Sequence, residues 1–105
     1  MAKYALLTVV VAAVPAFASD TSVTQKNKTF SSASMVLHVG DTLRFMNEDT
    51  VTHNITVKPL GGDDDADDLG LQKPGQAVSH HFTQPGLYRV VCSIHPHMRL
   101  DIKVQ

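Results

Sequence analysis

The segment Cys92-Ser93-Ile94-His95-Pro96-His97-Met98 places a thiol, imidazoles and a thioether within seven residues. Cys92, His95 and Met98 recur at three-residue intervals, and a tight loop with that spacing turns all three toward one point. A thiolate and imidazoles with a weak axial thioether are the donors of a type 1 copper site. Such a set needs one further imidazole from elsewhere in the chain. Of the six histidines, His53 is the best candidate. It opens a run in which Ile55 and Val57 share its parity, and it follows the turn-like Asn47-Glu48-Asp49-Thr50. His38 and His81 fall on outward parity and read as solvated. His80 falls on inward parity and reads as a hydrogen-bonded core or near-site residue. His97, in the same loop as His95, competes with it for the ligand position.

Composition narrows the function. A single Cys excludes an internal disulfide and any multi-thiolate zinc or iron–sulfur centre. Nine Lys+Arg against ten Asp+Glu leave no electrostatic footprint for nucleic acid. No Ser/His/Asp or paired-carboxylate constellation stands out, and the copper has no open position for a substrate, so the chain does not read as an enzyme. Asp63–Asp68 carries five carboxylates in six residues. It reads as a solvated, self-repelling loop; the functional alternative is a docking patch for a basic partner.

The elements that must position the loop are short strands. Period-2 runs cover Ser34–Val39, Thr42–Asn47, His53–Val57, Ala77–Phe82, Leu87–Cys92 and Arg99–Val104. Their inward sets are Met35/Leu37/Val39, Leu43/Phe45, His53/Ile55/Val57, Val78/His80/Phe82, Tyr88/Val90/Cys92 and Leu100/Ile102/Val104. Turn residues such as Gly40-Asp41 and Pro85-Gly86 separate them. The pattern predicts an all-β sandwich or barrel. Asp20–Ser32 reads as a polar first strand with a turn, and Pro59–Gln76 as the one long connection.

Residues 1–18 read as a secretory signal peptide rather than as part of the fold. Lys3 precedes the apolar run Ala5–Val14, Pro15 breaks it, and Ala16-Phe17-Ala18 has the small-x-small form of a cleavage site. The run is too short for a membrane span, and no Cys beside the cut could carry a lipid anchor. Residues 19–105 then form one exported domain with no membrane anchor. Small exported domains usually need a covalent or metal staple. A lone thiol in an oxidising compartment is either buried and inert or has its sulfur occupied; a bound metal on Cys92 would be such an occupant and would also act as the staple.

Two motifs together carry a family resemblance. Asn47-x-Asp49-x3-His53-Asn54 and Gly86-x-Tyr88-x3-Cys92-x2-His95-Pro96-x-Met98 resemble the cupredoxins, and the short Cys-x2-His-x2-Met loop is closest to the amicyanins and pseudoazurins. The likeness extends to Val39-Gly40-Asp41-Thr42 and Phe82-Thr83-x-Pro85-Gly86. It implies a Greek-key β-sandwich or barrel of about seven to eight strands. It implies one type 1 copper per chain on His53, Cys92, His95 and Met98. Asn54 would support the site by tying the two ligand loops together, and Tyr88 matches the family's core tyrosine. The implied function is a monomeric one-electron carrier in the periplasm, serving a donor and an acceptor redox protein that dock at a rim including Pro96 and His97. The alternative is a periplasmic copper-handling protein without an electron-transfer partner. The chain departs from the family in having Phe45 where a tryptophan is usual, His97 and His80 at usually apolar positions, and the acidic run Asp63–Asp68.

Overall fold

A computed structural model of the chain describes residues 18–62 and 64–105. The signal-peptide reading falls on residues that lie, apart from Ala18, outside this range. The described residues form nine strands: β1 (Asp20–Lys26), β2 (Thr29–Phe30), β3 (Ser34–Leu37), β4 (Thr42–Asn47), β5 (His53–Leu60), β6 (Asp67–Gln72), β7 (Ala77–His81), β8 (Gly86–Cys92) and β9 (His95–Val104). They build a four-stranded sheet in the order β2-β1-β4-β7 and a five-stranded sheet in the order β3-β9-β8-β5-β6.

The alternation seen in the sequence explains the layering. Val23, Leu43 and Phe45 from the first sheet meet Ile55, Val57, Val90, Leu100 and Ile102 from the second in one buried cluster, with Phe82 beside them. Each fully buried side chain of this size contributes roughly 1.5–3 kcal/mol of transfer free energy. The edge of the core is closed by aromatic contacts. Tyr88 meets Phe82 edge-on at 5.2 Å between centroids, and its hydroxyl donates to the Gln84 carbonyl at 2.8 Å.

The structure corrects the sequence reading in four places. There are more strands than expected, because β2 closes a hairpin with β1 and because β6 lies inside the supposed long connection. The β1–β2 turn is Asn27-Lys28, with φ of 53° and 57°, the left-handed pair that a two-residue hairpin requires. β6 is polar because it is an edge strand, paired on one side only with β5, and edges tolerate charge. Asp67 and Asp68 therefore belong to a strand and not to a loop. Gly70, at φ 91°, sits where the β5–β6 register slips between Asn54 and Thr56, a bulge that favours glycine. Val39 was expected inward but is 47% exposed, since β3 ends at Leu37 and the chain is already turning. Finally, β9 starts at His95 rather than Arg99, which shortens the β8–β9 connection to the two residues Ser93 and Ile94.

Candidate metal centre

The start of β5 and the end of β8 lie at the same end of the second sheet, because the two strands pair antiparallel. His53 is the first residue of β5, Cys92 the last of β8, and His95 the first of β9. A register slip between Val91 and Cys92 sets Cys92 opposite His95, turning both side chains to one point. His53 Nδ1 lies 3.1 Å from His95 Nδ1. Cys92 Sγ lies 3.8 Å from His53 Nδ1 and 3.6 Å from His95 Nδ1.

His53 is fully buried, and its ring is fixed from behind. Its Nε2 is 2.9 Å from Asp49 Oδ2, so Nε2 carries the proton and donates it, leaving Nδ1 a bare lone pair. Asp49 is held in turn by the Lys28 N–H at 2.8 Å. That backbone bond, followed by the His53 bond, lowers the Asp49 carboxyl to about 2. At His95, burial and then the nearby His53 and Lys28 push the pKa down, against the pull of Asp49, so the imidazole is neutral near pH 7 and free to donate a lone pair. The sulfur, 1% exposed, accepts the Asn54 N–H at 3.2 Å. Three electron-pair donors thus face one another across 3.1–3.8 Å. The three atoms can exchange protons as hydrogen bonds in the absence of a metal, and their spacing also suits three bonds of about 2.0–2.3 Å to one centre. The soft sulfur with two imidazoles suits copper.

Two buried amides hold the ligand loops. Asn54 Oδ1 accepts from the Ser93 N–H at 3.3 Å and the Thr56 hydroxyl at 2.8 Å, while its Nδ2 donates to Asp68 Oδ1 at 2.8 Å and the Gly70 carbonyl at 3.1 Å. It therefore joins β5, β6 and the Cys92–His95 turn. Asn47 does the same for the loop before His53. Its Nδ2 donates to the Val51 and Gln72 carbonyls at 2.9 and 3.0 Å, and its Oδ1 accepts from the Asp49 N–H at 2.9 Å. Met98 lies on the inward parity of β9 with Leu100, Ile102 and Val104 and is buried with them.

Stability in acid follows from Asp49. Its carboxyl is depressed in the folded state, so its contribution is present above the unfolded pKa of about 4 and is lost as pH falls toward 2. In copper-free protein, Tm is expected to fall over that window, and the fall is expected to be shallower in Asp49→Asn. Parallel curves for the two proteins would contradict the assignment.

The family model for copper binding proteins of the plastocyanin/azurin family matches residues 17–105. The chain belongs to this family. No curated protein matches the chain. Among solved structures it is similar to a methionine-to-alanine variant of amicyanin in the Cu(I) state, with 26% identity, a TM-score of 0.74 and 82% of each chain covered. A copper-containing nitrite reductase from Thermus scotoductus SA-01 matches at 27% identity and a TM-score of 0.73. That match covers 83% of this chain but only 22% of the reductase. A purple cupredoxin from Nitrosopumilus maritimus shares the fold at 23% identity and a TM-score of 0.71, with 82% of this chain and all of that one covered.

In this cupredoxin, His53, Cys92 and His95 bring donor atoms within 4.8 Å of one another, and no other group of three His, Cys, Asp or Glu residues does so among the described residues. Met98 is buried in β9, three residues after His95, and with the family match the set is that of a type 1 copper site. Of the two loop histidines, His95 turns to Cys92 while His97 is exposed. His80 stands apart, with Nδ1 3.4 Å from Asp67 Oδ2 and its ring edge-on to Phe82. His81 is exposed and meets the Thr42 hydroxyl, and His38 lies in solvent. The sequence reading missed the bracing by Asn47, Asp49 and Asp68. The four-residue spacing of Asp49 and His53 across a turn was a usable signal; nothing in the sequence marks Asp68.

Proposed function

We propose that this cupredoxin is an exported, periplasmic one-electron carrier, freed of residues 1–18, that acts as a monomer between a donor and an acceptor redox protein. His53 Nδ1, Cys92 Sγ and His95 Nδ1 are the strong ligands, and Met98 is the weak axial one. Copper bound there supplies the one-electron chemistry by cycling between Cu(I) and Cu(II). The observation that carries this reading is the convergence of three donor atoms from the ends of β5, β8 and β9. Donors held by strand ends move little when the charge between them changes, and small rearrangement means a low barrier to electron transfer. His95 is only partly buried, and Ile94, 50% exposed, stands beside it with exposed Pro96 and His97. Those side chains form the rim through which a docked partner exchanges electrons.

A carrier is favoured over an enzyme because the likeness to the nitrite reductase spans only a fifth or so of that protein, whereas the likeness to amicyanin spans most of both chains. Copper handling is not favoured, because His80 and His81 are engaged with Asp67 and Thr42 and not with the donor cluster. No helix of the described residues is long and apolar enough to cross a membrane.

The electron self-exchange rate of the copper protein tests the reading. Rapid exchange is expected; slow exchange with readily removed copper would point to copper handling. Met98→Leu tests the axial ligand. It removes a donor that favours Cu(II), so the reduction potential is expected to rise by at least about 59 mV, a tenfold change in relative affinity for a one-electron couple. An unchanged potential would remove Met98 from the ligand set.

A further inference from the structure

Asp41, in the turn between β3 and β4, is a buried carboxylate without a strong counter-ion. It is 4% exposed, and among the described residues no lysine or arginine pairs with it. Its Oδ2 accepts the His38 N–H at 2.8 Å, and its Oδ1 accepts the Ser19 N–H at 3.0 Å. The His38 ring is 3.9 Å away but largely in solvent. A buried charge satisfied only by neutral donors is costly to keep. The nitrogen that meets Oδ1 belongs to the residue directly after Ala16-Phe17-Ala18.

We propose that the mature protein begins at Ser19 and that its α-ammonium is the counter-ion of Asp41, so that removal of the leader supplies an ion-pair partner for a buried carboxylate. This rests on the export reading above. The step is a hydrolysis by a leader peptidase. Water adds across the Ala18–Ser19 amide, Ala18 leaves as a carboxylate, and the Ser19 nitrogen takes up protons to become an ammonium. That nitrogen is already in place, so the step changes its charge without needing it to move. The pair sits at the first rung of the parallel β1–β4 ladder, where Asp20 is opposite Thr42 and the Thr42 N–H donates to the Ser19 carbonyl at 3.2 Å. It therefore anchors β1, whose Val23 is part of the core. A charge-assisted bond is about twice as strong as the neutral one it replaces. The other ionisable groups around the turn are His38, Asp20 on β1, and His81 on β7, which is held by Thr42; all are unchanged by processing.

The test compares protein starting at Ser19 with protein carrying the neutral extension Gly-Ser-Ala-Ala before Ser19, at pH 7 and in the same metal state. All nine strands are present in both. The extended chain keeps an amide N–H at Ser19, so the comparison isolates the charge. The extension is expected to lower Tm by about 4–8 °C and to have no effect in an Asp41→Asn background. Independently, the α-amine of the Ser19 protein, isotopically labelled by methylation and followed by NMR, is expected to titrate above its usual range of about 7.7–8.0. This second readout decides the matter if Asp41→Asn does not fold. Equal Tm values with an ordinary amine pKa would overturn the pairing while leaving export untouched. Mass spectrometry of the full chain expressed in a bacterium is expected to find Ser19 as the first residue of the exported form. Any other first residue would overturn the proposal, and retention of the uncut chain in the cytoplasm would overturn the export reading itself.

Discussion

Cys92→Ser is expected to eliminate the intense visible absorption of the copper-loaded protein and to weaken Cu(II) binding by several orders of magnitude. The colour of a type 1 site comes from the thiolate–copper bond, which a serine hydroxyl cannot replace, because it is a harder donor and stays protonated near neutrality. The substitution is close to isosteric, so the fold should survive. Asn54 N–H can still donate to the new oxygen, and the Val90, Leu100 and Ile102 core lies deeper in the sandwich. Circular dichroism of the copper-free variant should therefore match that of the parent. A retained strong visible band would show that sulfur is not a ligand.

Asn47→Ala is expected to be the most damaging substitution away from the donor atoms. The amide is fully buried and makes three hydrogen bonds, to Val51, Gln72 and Asp49. Each is worth about 1 kcal/mol net, and the partners left unpaired in the interior add to the loss. A total of roughly 3–5 kcal/mol is a large share of the stability of a domain this size. The site should suffer as well, since the Asp49 N–H is fixed by Asn47 and Asp49 fixes the His53 ring. Urea unfolding of the copper-free protein measures the first effect, and broadening of the visible band measures the second. A loss under 1 kcal/mol with an unaltered band would mean that the loop before His53 is held by other contacts.

The contrast between β9 and β6 shows how much of the molecule was legible in its sequence. Leu100, Ile102 and Val104 alternate with charged or polar residues, so both the strand and its inward face could be read directly. β6 has only Leu69 and Leu71 among acidic and polar residues. It is a strand because β5 offers it a ladder, and pairing of that kind leaves no mark on the local pattern. The donor loop was legible for a similar reason to β9. Cys92, His95 and Met98 are close in sequence, and His53 shares the parity of Ile55 and Val57. The bracing of the loop was not legible. Asn54 reaches Asp68 across fourteen residues and Ser93 across thirty-nine, and such distances become contacts only once two sheet neighbours have been placed. The resemblance already favoured His95 over His97 by its spacing from Cys92, and in the structure His95 turns to Cys92 while His97 is exposed.

The most direct test of the copper assignment is a titration of the purified protein with Cu(II), followed by visible absorption. The structure predicts an intense blue or green band that grows linearly and stops at one copper per chain, because only one cluster of converging donors exists among the described residues. Weak absorption alone, or a band that continues to grow past one equivalent, would contradict a single type 1 site built on His53, Cys92, His95 and Met98.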